Sequence, residues 1–246
     1  MKENKYDDGQ FFSQYSQMSR SMDGLKGAGE WHVFQRLLPS FEGKRVLDLG
    51  CGYGWHCRYA VEHGAEYVLG IDLSEKMLQE AARRNNSPLI VYRRMAVEDF
   101  EFIPDSFDIV ISSLTFHYLE SFKDVCDKVF ACLSEGGSFI FSVEHPVFTA
   151  YGSQDWYRDQ QGNPVHWPVD NYFREGRRQA VFLGEEVVKF HKTLTTYVNG
   201  LIRSGFEIVS LEEPEPDELL LNTIPGMQDE LRRPMMLIIS ARKKTF

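Results

Sequence analysis

The fold of this chain is decided by the stretch Val46-Leu47-Asp48-Leu49-Gly50-Cys51-Gly52-Tyr53-Gly54. Apolar residues run into a loop that carries glycine at every second position, and glycine lets backbone amides approach a ligand closely because no Cβ intervenes. A second short apolar segment ends in the acid Asp72. An acid at the tip of the next strand is placed to accept hydrogen bonds from both ribose hydroxyls. Together these features predict a nucleotide-type pocket.

The spacing of the glycines separates two kinds of nucleotide pocket. Dinucleotide-binding domains use G-x-G-x-x-G, whose third glycine packs a helix against a strand. Here that third position is Trp55, and the observed spacing is G-x-G-x-G with Asp48 two residues before the first glycine. This pattern resembles motif I, D-x-G-x-G-x-G, of the class I S-adenosylmethionine (SAM) dependent methyltransferases. A nicotinamide oxidoreductase is therefore disfavoured.

Strand-like and helix-like segments alternate along the chain, which predicts an α/β protein with a doubly wound, mostly parallel sheet. The alternation stops after the fifth strand, and no clear period is found from Pro146 to about Glu186. A long aromatic-rich loop of this kind is typical of a lid or binding element. We interpret Glu213-Pro214 and Glu215-Pro216 as linkers. The order resembles the class I methyltransferase fold, which has seven strands, the last antiparallel, and an insertion after the fifth.

The predicted organisation has four parts. Residues 1–40 form an N-terminal helical cap over the cofactor, and residues 41–145 form the SAM-binding, Rossmann-like core. Residues 146–190 form the lid or substrate insertion, and residues 191–246 complete the sheet.

The resemblance implies a set of cofactor-binding residues: Tyr15, Arg20, Asp48, Gly50, Cys51, Gly52, Asp72, Leu73, Met77, Ala96, Val97 and Ser112. Asp72 is expected on the ribose, and Ser112 is expected to face the sulfonium. Leu73, Met77, Ala96 and Val97 are expected around the adenine, with Tyr15 and Arg20 near the SAM carboxylate because arginine suits a carboxylate.

Several of these assignments have alternatives. Asp48 either organises the loop amides or meets the ammonium group of SAM. Met77 is equally explained as helix core, and Arg20 as an exposed residue of a surface helix. Ala96 stands where the family usually has an acid, so the adenine is held either by backbone groups or by Glu98.

The sequence indicates the residues that contact the methyl acceptor less clearly than those that bind the cofactor. Histidine suits general base catalysis near neutral pH, so His145 and then His191 are the catalytic candidates, with a structural role as the alternative. His145 is expected beside the methyl group because it follows the fifth strand. His117 lies in a segment similar to S-x-x-x-x-H-H-V of menaquinone-biosynthesis-type methyltransferases. Aromatic residues of the insertion are candidates for a flat or apolar acceptor pocket: Tyr151, Trp167 and Tyr172.

Composition and motif content further restrict the classes of substrate and site that the sequence predicts. The formal net charge of −9 disfavours nucleic acid as the substrate, because proteins that bind phosphate backbones are usually basic. The missing [N/D]-P-P-[Y/F] motif argues against methylation of a nucleobase or glutamine nitrogen. The four cysteines form no C-x-x-C pair and predict reduced thiols of a cytoplasmic protein. No metal site and no membrane-spanning segment are expected, and the oligomeric state stays open.

The sequence therefore predicts a cytoplasmic SAM-dependent methyltransferase that acts on a small-molecule acceptor, with S-adenosylhomocysteine as a product. Two alternatives keep the SAM site but change its use. One is a SAM-binding enzyme that does not transfer a methyl group. The other is a SAM-sensing or scaffold protein without turnover.

Overall fold

The computed structural model describes residues 4–245 and is built on one seven-stranded sheet. The eleven strands of these residues are β1 Arg45–Leu49, β2 Tyr67–Asp72, β3 Ile90–Arg94, β4 Phe107–Ser113, β5 Leu133–Glu144, β6 Tyr157–Arg158, β7 Pro164–His166, β8 Gly176–Phe182, β9 Glu185–His191, β10 Phe206–Glu212 and β11 Met236–Lys243. The large sheet has the order β10-β11-β5-β4-β1-β2-β3. Strand β11 is antiparallel to both of its neighbours, which confirms the predicted seven-stranded sheet with an antiparallel last strand.

The helices connect and cover these strands. They are α1 Gly9–Ser16, α2 Ser19–Met22, α3 Trp31–Leu37, α4 Trp55–Glu62, α5 Glu75–Arg84, α6 Phe122–Cys132, α7 Pro146–Ala150, α8 Leu194–Arg203 and α9 Glu218–Thr223. Short 3₁₀ turns add to them at Lys5–Asp7, Gly24–Gly27, Val97–Asp99, Phe116–Tyr118 and Met227–Arg232.

The sheet is buried on both faces, as its apolar strands require. Successive side chains of a strand point to opposite faces. Accordingly Val46 of β1 packs in one core with α3 and α4, while Leu47 and Leu49 pack in the other with α6 and α8. From β1 the sheet continues with β2 and β3 on one side and with β4 and β5 on the other, so the strand order reverses beside β1. Open α/β sheets bind ligands at such a point.

The insertion after β5 differs from its prediction as an irregular loop. It begins with α7 and continues as two antiparallel hairpins, β6–β7 and β8–β9. The β8–β9 ladder pairs Gly176–Phe182 with Glu185–His191 over its whole length. Strand alternation is hidden in this sequence because β8 has polar residues on both of its faces, the exposed Arg177 and the half-buried Arg178 among them.

The two ends of the chain also contribute structure. The predicted N-terminal cap contains α1 to α3, although residues 1–3 lie outside the described part, as does residue 246. The segment interpreted as linkers leads into α9 and a 3₁₀ turn. Among residues 4–245, no helix is both long and apolar enough to cross a membrane.

Candidate active site

The glycine loop after β1 is held by its own backbone. The amides of Gly50 and Cys51 both donate to the Ile71 carbonyl at 2.9 Å, and the Gly54 amide donates to Cys51 at 2.8 Å. Gly50 has a φ of 74°, and a Cβ there would lie 2.2 Å from Oγ1 of Thr115. Glycine is therefore required at this position both by backbone conformation and by space.

Asp72 connects this loop to the next helix. Its Oδ2 accepts a hydrogen bond from the Gly52 amide at 2.9 Å, and its Oδ1 accepts one from the Ser74 amide at 2.8 Å. Burial raises the pKa of Asp72, and these two amide donors act against that rise. Asp72 lines a cavity together with Gly50 and Gly52, so its carboxylate stands beside the glycine loop at the carboxyl edge of the sheet.

Asp48 lies beneath the loop and is 1% exposed. Its Oδ2 accepts a hydrogen bond from Sγ of Cys57 at 3.3 Å, and within residues 4–245 its Oδ1 has no partner. The loop amides donate to other acceptors, so Asp48 does not organise them through hydrogen bonds. Burial raises the pKa of Asp48 to about 7. This carboxyl is therefore a buried group that changes its charge near neutral pH.

A pH dependence of stability follows from Asp48. Its pKa is about 7 in the folded state and 3.8 ordinarily, so between these values only the folded chain holds the proton. Its contribution to stability is complete below about pH 4 and is lost as the pH rises through about 7. Compared with Asp48→Asn, we expect the parent to lose up to about 1.4 kcal/mol of unfolding free energy per pH unit in this interval. Urea unfolding at several pH values measures it.

The exposed Asp124→Asn serves as the matched control and should follow the parent at every pH. Parallel stability profiles for the parent and Asp48→Asn would show that Asp48 titrates normally.

The N-terminal segment covers one side of the cavity. Asp7 Oδ1 accepts hydrogen bonds from Ser74 Oγ at 2.6 Å and from the Lys76 amide at 3.2 Å, which fastens the segment to the start of α5. Tyr15 and Arg20 both line the cavity. Arg20 is not a free surface residue, because its Nη2 lies 2.6 Å from Oε1 of the buried Glu30. The predicted candidates from this segment therefore reach the cavity.

The residues expected around adenine also line the cavity. Leu73, Met77, Ala96 and Val97 form one wall, and Glu98 lies on the same wall. Met77, Ala96 and Val97 are each at most 5% exposed, so the part of the wall that they form is apolar and shielded from solvent, whereas Glu98 is exposed. Cys51, also predicted to bind the cofactor, is buried, and a Cβ on Gly70 would lie 2.9 Å from its Sγ. Within residues 4–245 it is not among the residues that line the cavity.

The structure places the side chain of Ser112, which we expected to face the sulfonium, away from the cavity. Ser112 is fully buried, and its Oγ donates to the Leu49 carbonyl at 2.7 Å, so it bridges β4 and β1 inside the sheet. The next residue, Ser113, lines the cavity together with Leu114 and Thr115. Neighbouring residues of a strand point to opposite faces, so an error of one position removes the side chain from the site.

The structure places His145 and His191, the predicted catalytic residues, in contacts outside the cavity lining. His145 Nδ1 accepts a hydrogen bond from the Val147 amide at 3.0 Å and so caps α7, while its Nε2 lies 2.8 Å from Oε1 of Glu213. His191 bonds Thr149 Oγ1 through Nδ1 and the Tyr172 carbonyl through Nε2, both at 2.8 Å. Within residues 4–245, neither histidine is among those that line the cavity.

Three predicted acceptor contacts lie outside the cavity wall as well. Tyr151 is 40% exposed, Trp167 stacks on Phe148 with ring centroids 4.9 Å apart, and Tyr172 accepts a hydrogen bond from the Leu194 amide through its hydroxyl. Other aromatic residues of the insertion line the cavity instead: Phe148, Trp156 and Phe182. The aromatic composition of the insertion indicated that aromatic residues contribute to the cavity wall, but it could not indicate which rings line the cavity.

His117 is the predicted acceptor-side residue that does line the cavity. Its Nδ1 accepts a hydrogen bond from the Glu144 amide at 3.4 Å. Burial lowers the pKa of His117 to about 3, so the ring is neutral at physiological pH and carries its proton on Nε2. It can therefore donate a hydrogen bond, but it is a poor proton acceptor.

A polar cluster that sequence reasoning missed stands at the end of β5. Lys189 Nζ lies 2.5 Å from Glu144 Oε1 and 2.8 Å from Gln154 Oε1, and Gln154 Nε2 donates to Glu144 Oε2 at 2.8 Å. We call these three residues the Glu144 cluster, and all of them line the cavity. Gln154 has a φ of 52°, an uncommon conformation for a residue other than glycine. The sequence signal for this cluster was the run Glu144-His145-Pro146 at the end of β5.

The cavity has a volume of about 920 Å³. The carboxyl ends of β1, β2, β4 and β5 form its floor, and the insertion forms part of its walls. The segment interpreted as linkers closes another side, and it contributes Pro214, Leu220, Ile224 and Met227. The glycine loop and the Glu144 cluster therefore open into one continuous space.

Comparison with known proteins agrees with this geometry. A family model for a methyltransferase domain matches residues 47–141. An uncharacterised Haemophilus influenzae protein is 33% identical over 250 aligned residues, which cover 97% of this chain and 96% of the relative.

Two crystal structures are also similar. A Listeria monocytogenes protein assigned as a SAM-dependent methyltransferase is 58% identical, with a TM-score of 0.86 over 90% of this chain and 100% of that chain. A SAM-dependent methyltransferase from Mesorhizobium loti is 45% identical, with a TM-score of 0.82 over 89% of this chain and 100% of that chain. The chain belongs to the class I SAM-dependent methyltransferases, and SAM is its cosubstrate.

Proposed function

We propose that this methyltransferase acts on a small-molecule acceptor bound in the same cavity as SAM. The supporting observation is that one cavity of about 920 Å³ is lined both by the glycine loop and by residues of the insertion and the C-terminal segment. This volume lies near the upper end of the range of about 300–1,000 Å³ for small-molecule sites, which suits two small ligands side by side.

The donor half of the cavity suits SAM. Asp72 accepts the ribose hydroxyls, since each of its oxygens uses only one lone pair on a backbone amide. Leu73 and Met77 pack on the adenine with Ala96 and Val97. Gly50 and Gly52 bring their backbone against the ribose and the tail. Tyr15 and Arg20 close the tail end of this half.

The acceptor half is mainly apolar with one polar end. Phe148, Trp156 and Phe182 provide flat apolar surface, while the Glu144 cluster and His117 provide hydrogen-bonding groups. We propose that the apolar body of the acceptor packs on the aromatic wall and that its nucleophile meets the polar end. The cluster contains one carboxylate and one ammonium group, so an acceptor whose reacting end is uncharged fits without leaving a charge unpaired.

Bound SAM supplies a methyl group already activated by the sulfonium, so alignment and exclusion of water are the main tasks of the protein. Among the described cavity residues, His117 is neutral and Glu144 is held by Lys189 and Gln154. We therefore propose orientation by hydrogen bonds to the Glu144 cluster in place of a histidine base. The insertion and the N-terminal segment exclude water from the reacting groups.

Isotope transfer tests this function. The protein is incubated with SAM labelled in its methyl group and with a cell extract separated into small molecules and macromolecules. We expect label in the small-molecule fraction, with one S-adenosylhomocysteine formed per methyl transferred. Label only in macromolecules would contradict a small-molecule acceptor. SAM breakdown without a methylated product would indicate different SAM chemistry, and binding without turnover would indicate a sensor.

A variant of the Glu144 cluster tests the acceptor half. Gln154→Ala removes two hydrogen bonds of the cluster but leaves the Lys189–Glu144 ion pair. We expect methyl transfer to fall about tenfold or more because the nucleophile is misaligned, while the affinity for S-adenosylhomocysteine stays unchanged. Gln160→Ala, at an exposed glutamine of the same insertion, is the matched control. An equal loss of cofactor affinity in Gln154→Ala would contradict a role restricted to the acceptor.

A further inference from the structure

The chain between β10 and β11 forms one wall of the cavity as a strap, which we define as residues 213–234. The strap contains α9 and the 3₁₀ turn Met227–Arg232. It lines the cavity with apolar side chains, among them Leu220, Ile224 and Met227. Both α9 and this turn are described throughout, and neither of them buries a residue. The strap therefore has no core of its own that would hold it in place.

One buried side chain attaches the strap to the insertion. The structure describes the whole strap, and Arg233 is its only buried residue. Its Cζ lies 4.1 Å from the ring centroid of Trp167, 4.7 Å from that of Phe148 and 5.5 Å from that of Trp156. Its guanidinium also donates to the Glu230 carboxylate, from Nη1 at 2.7 Å and from Nη2 at 3.1 Å. We call Arg233 with these three rings the Arg233 latch. Aromatic rings attract a cation most strongly when it is shielded from water.

The Arg233 latch joins two walls of the acceptor half. Phe148 and Trp156 line the cavity from the insertion, and Glu230 lines it from the strap. The buried Nε of Arg233 has no hydrogen-bond partner among residues 4–245. A buried donor without a partner is costly, and opening of the strap would return it to water. The closed position is therefore stabilised by the rings and the ion pair and opposed by the unpaired donor.

Two further attachments of the strap to the insertion are more exposed to solvent. Glu213 Oε1 lies 2.8 Å from Nε2 of His145, and the Glu213 side chain is 52% exposed. Arg232 Nη1 donates to the Pro164 carbonyl at 3.0 Å, and the Arg232 side chain is 39% exposed. Exposed charged contacts contribute little because water and salt screen them. The buried Arg233 latch is therefore the main attachment.

The strap is also the wall of the acceptor half that opens at the lowest cost. The floor consists of strand ends of the seven-stranded sheet. The β8–β9 hairpin of the insertion has a continuous ladder, and its Ala180 and Val187 are each 1% exposed. Local opening occurs where few side chains are buried. A segment with a single buried residue therefore opens before the sheet or the hairpin.

We propose that Arg233 is a positioning residue that holds the strap closed over the acceptor half, and that release of the Arg233 latch opens this half to the acceptor. The closed strap excludes water during methyl transfer, and the open strap admits the acceptor and releases the methylated product. The role in acceptor entry rests on the proposed small-molecule function, whereas the latch itself is measurable without any acceptor.

Hydrogen exchange of the free protein tests the latch. The amides of Leu221 and Ile224 are hydrogen-bonded within α9, which has six residues. A helix this short is not stable alone in water, so these amides exchange whenever the strap leaves the insertion. Arg233→Met keeps a long apolar side chain but removes the cation and the ion pair. We expect the two amides to exchange about tenfold faster in this variant, with the amides of α8 unchanged.

Arg177→Met is the matched control, since it removes the same charge from an exposed position of the insertion. It should leave the exchange of the strap amides as in the parent. Unchanged exchange of these amides in Arg233→Met would overturn the proposal. If Arg233→Met does not fold, Arg233→Lys keeps the charge without the planar stacking and should accelerate the same exchange to a smaller extent. Parent-like exchange in that variant would overturn the proposal equally.

Isotope transfer distinguishes positioning from a merely structural role. The parent and Arg233→Met receive labelled SAM and a dilution series of the small-molecule fraction of the extract. We expect the variant to need severalfold more of this fraction for half-maximal transfer, because fewer molecules hold the strap closed. Its affinity for S-adenosylhomocysteine should stay unchanged in calorimetry. Equal half-maximal amounts, or a loss of cofactor affinity, would contradict the positioning role. If the parent transfers no label, the proposed function fails, while hydrogen exchange still decides the latch.

Discussion

Asp72→Ala is expected to weaken the binding of S-adenosylhomocysteine by roughly ten- to a hundredfold, because a charge-assisted hydrogen bond contributes about 1.5–3 kcal/mol. The loss has two physical sources. The ribose hydroxyls lose their acceptor, and the Gly52 amide loses the carboxylate that it contacts at 2.9 Å. Calorimetric titration of the parent and of the variant measures the ratio of the two dissociation constants.

Asp72→Asn separates these two sources. The asparagine side chain keeps one oxygen acceptor for a backbone amide but no longer presents two acceptors to the ribose. We expect its affinity to lie between those of the parent and Asp72→Ala. Asp124→Ala, at an exposed acid in the first turn of α6, controls for the change in net charge. Equal affinity of the parent and Asp72→Ala would remove Asp72 from the proposed ribose site.

Gly50→Ala is expected to lower the free energy of unfolding by about 2–5 kcal/mol. A left-handed conformation costs an alanine about 1–2 kcal/mol, and overpacking adds a cost of about 1–3 kcal/mol. The overpacking arises because the new Cβ would lie 2.2 Å from Oγ1 and 2.6 Å from Cγ2 of Thr115. Urea unfolding of the parent and of the variant measures the difference.

Gly52→Ala is the matched control, since Gly52 also has a positive φ but a Cβ there would meet nothing within 4 Å. It should show only the backbone cost. The double variant Gly50→Ala with Thr115→Ala removes the Oγ1 and Cγ2 contacts and should recover part of the lost stability. If Gly50→Ala were no less stable than Gly52→Ala, the close packing of Thr115 on the loop would be wrong.

The donor half of the site is largely visible in the sequence because it is built from local features. Gly50, Gly52 and Gly54 all have positive φ, so their spacing directly reports the backbone of the loop. Asp72 follows an apolar strand that pairs with β1. A parallel neighbour brings the ends of both strands to the same edge, so the position of this acid needs no knowledge of the remaining fold.

The roles of His145 and His191 could not be predicted from local sequence features in the same way. His145 follows β5 at the carboxyl edge, as the site requires, yet its ring turns to cap α7 and approaches Glu213. His191 is enclosed by Thr149 and Tyr172 from the insertion. A histidine on a strand end is equally compatible with catalysis and with support of a neighbouring segment. The choice depends on what packs against it.

The sequence by itself determined the seven-stranded α/β class, the glycine loop and the acid of the next strand, because short-range backbone requirements impose these residues. Only the tertiary structure decided which residues line the proposed acceptor half. Glu144, Gln154 and Lys189 come from β5, an irregular turn and β9, and the folded insertion brings them within hydrogen-bond distance. Their contacts follow from long-range packing, which leaves no periodic signal in the chain.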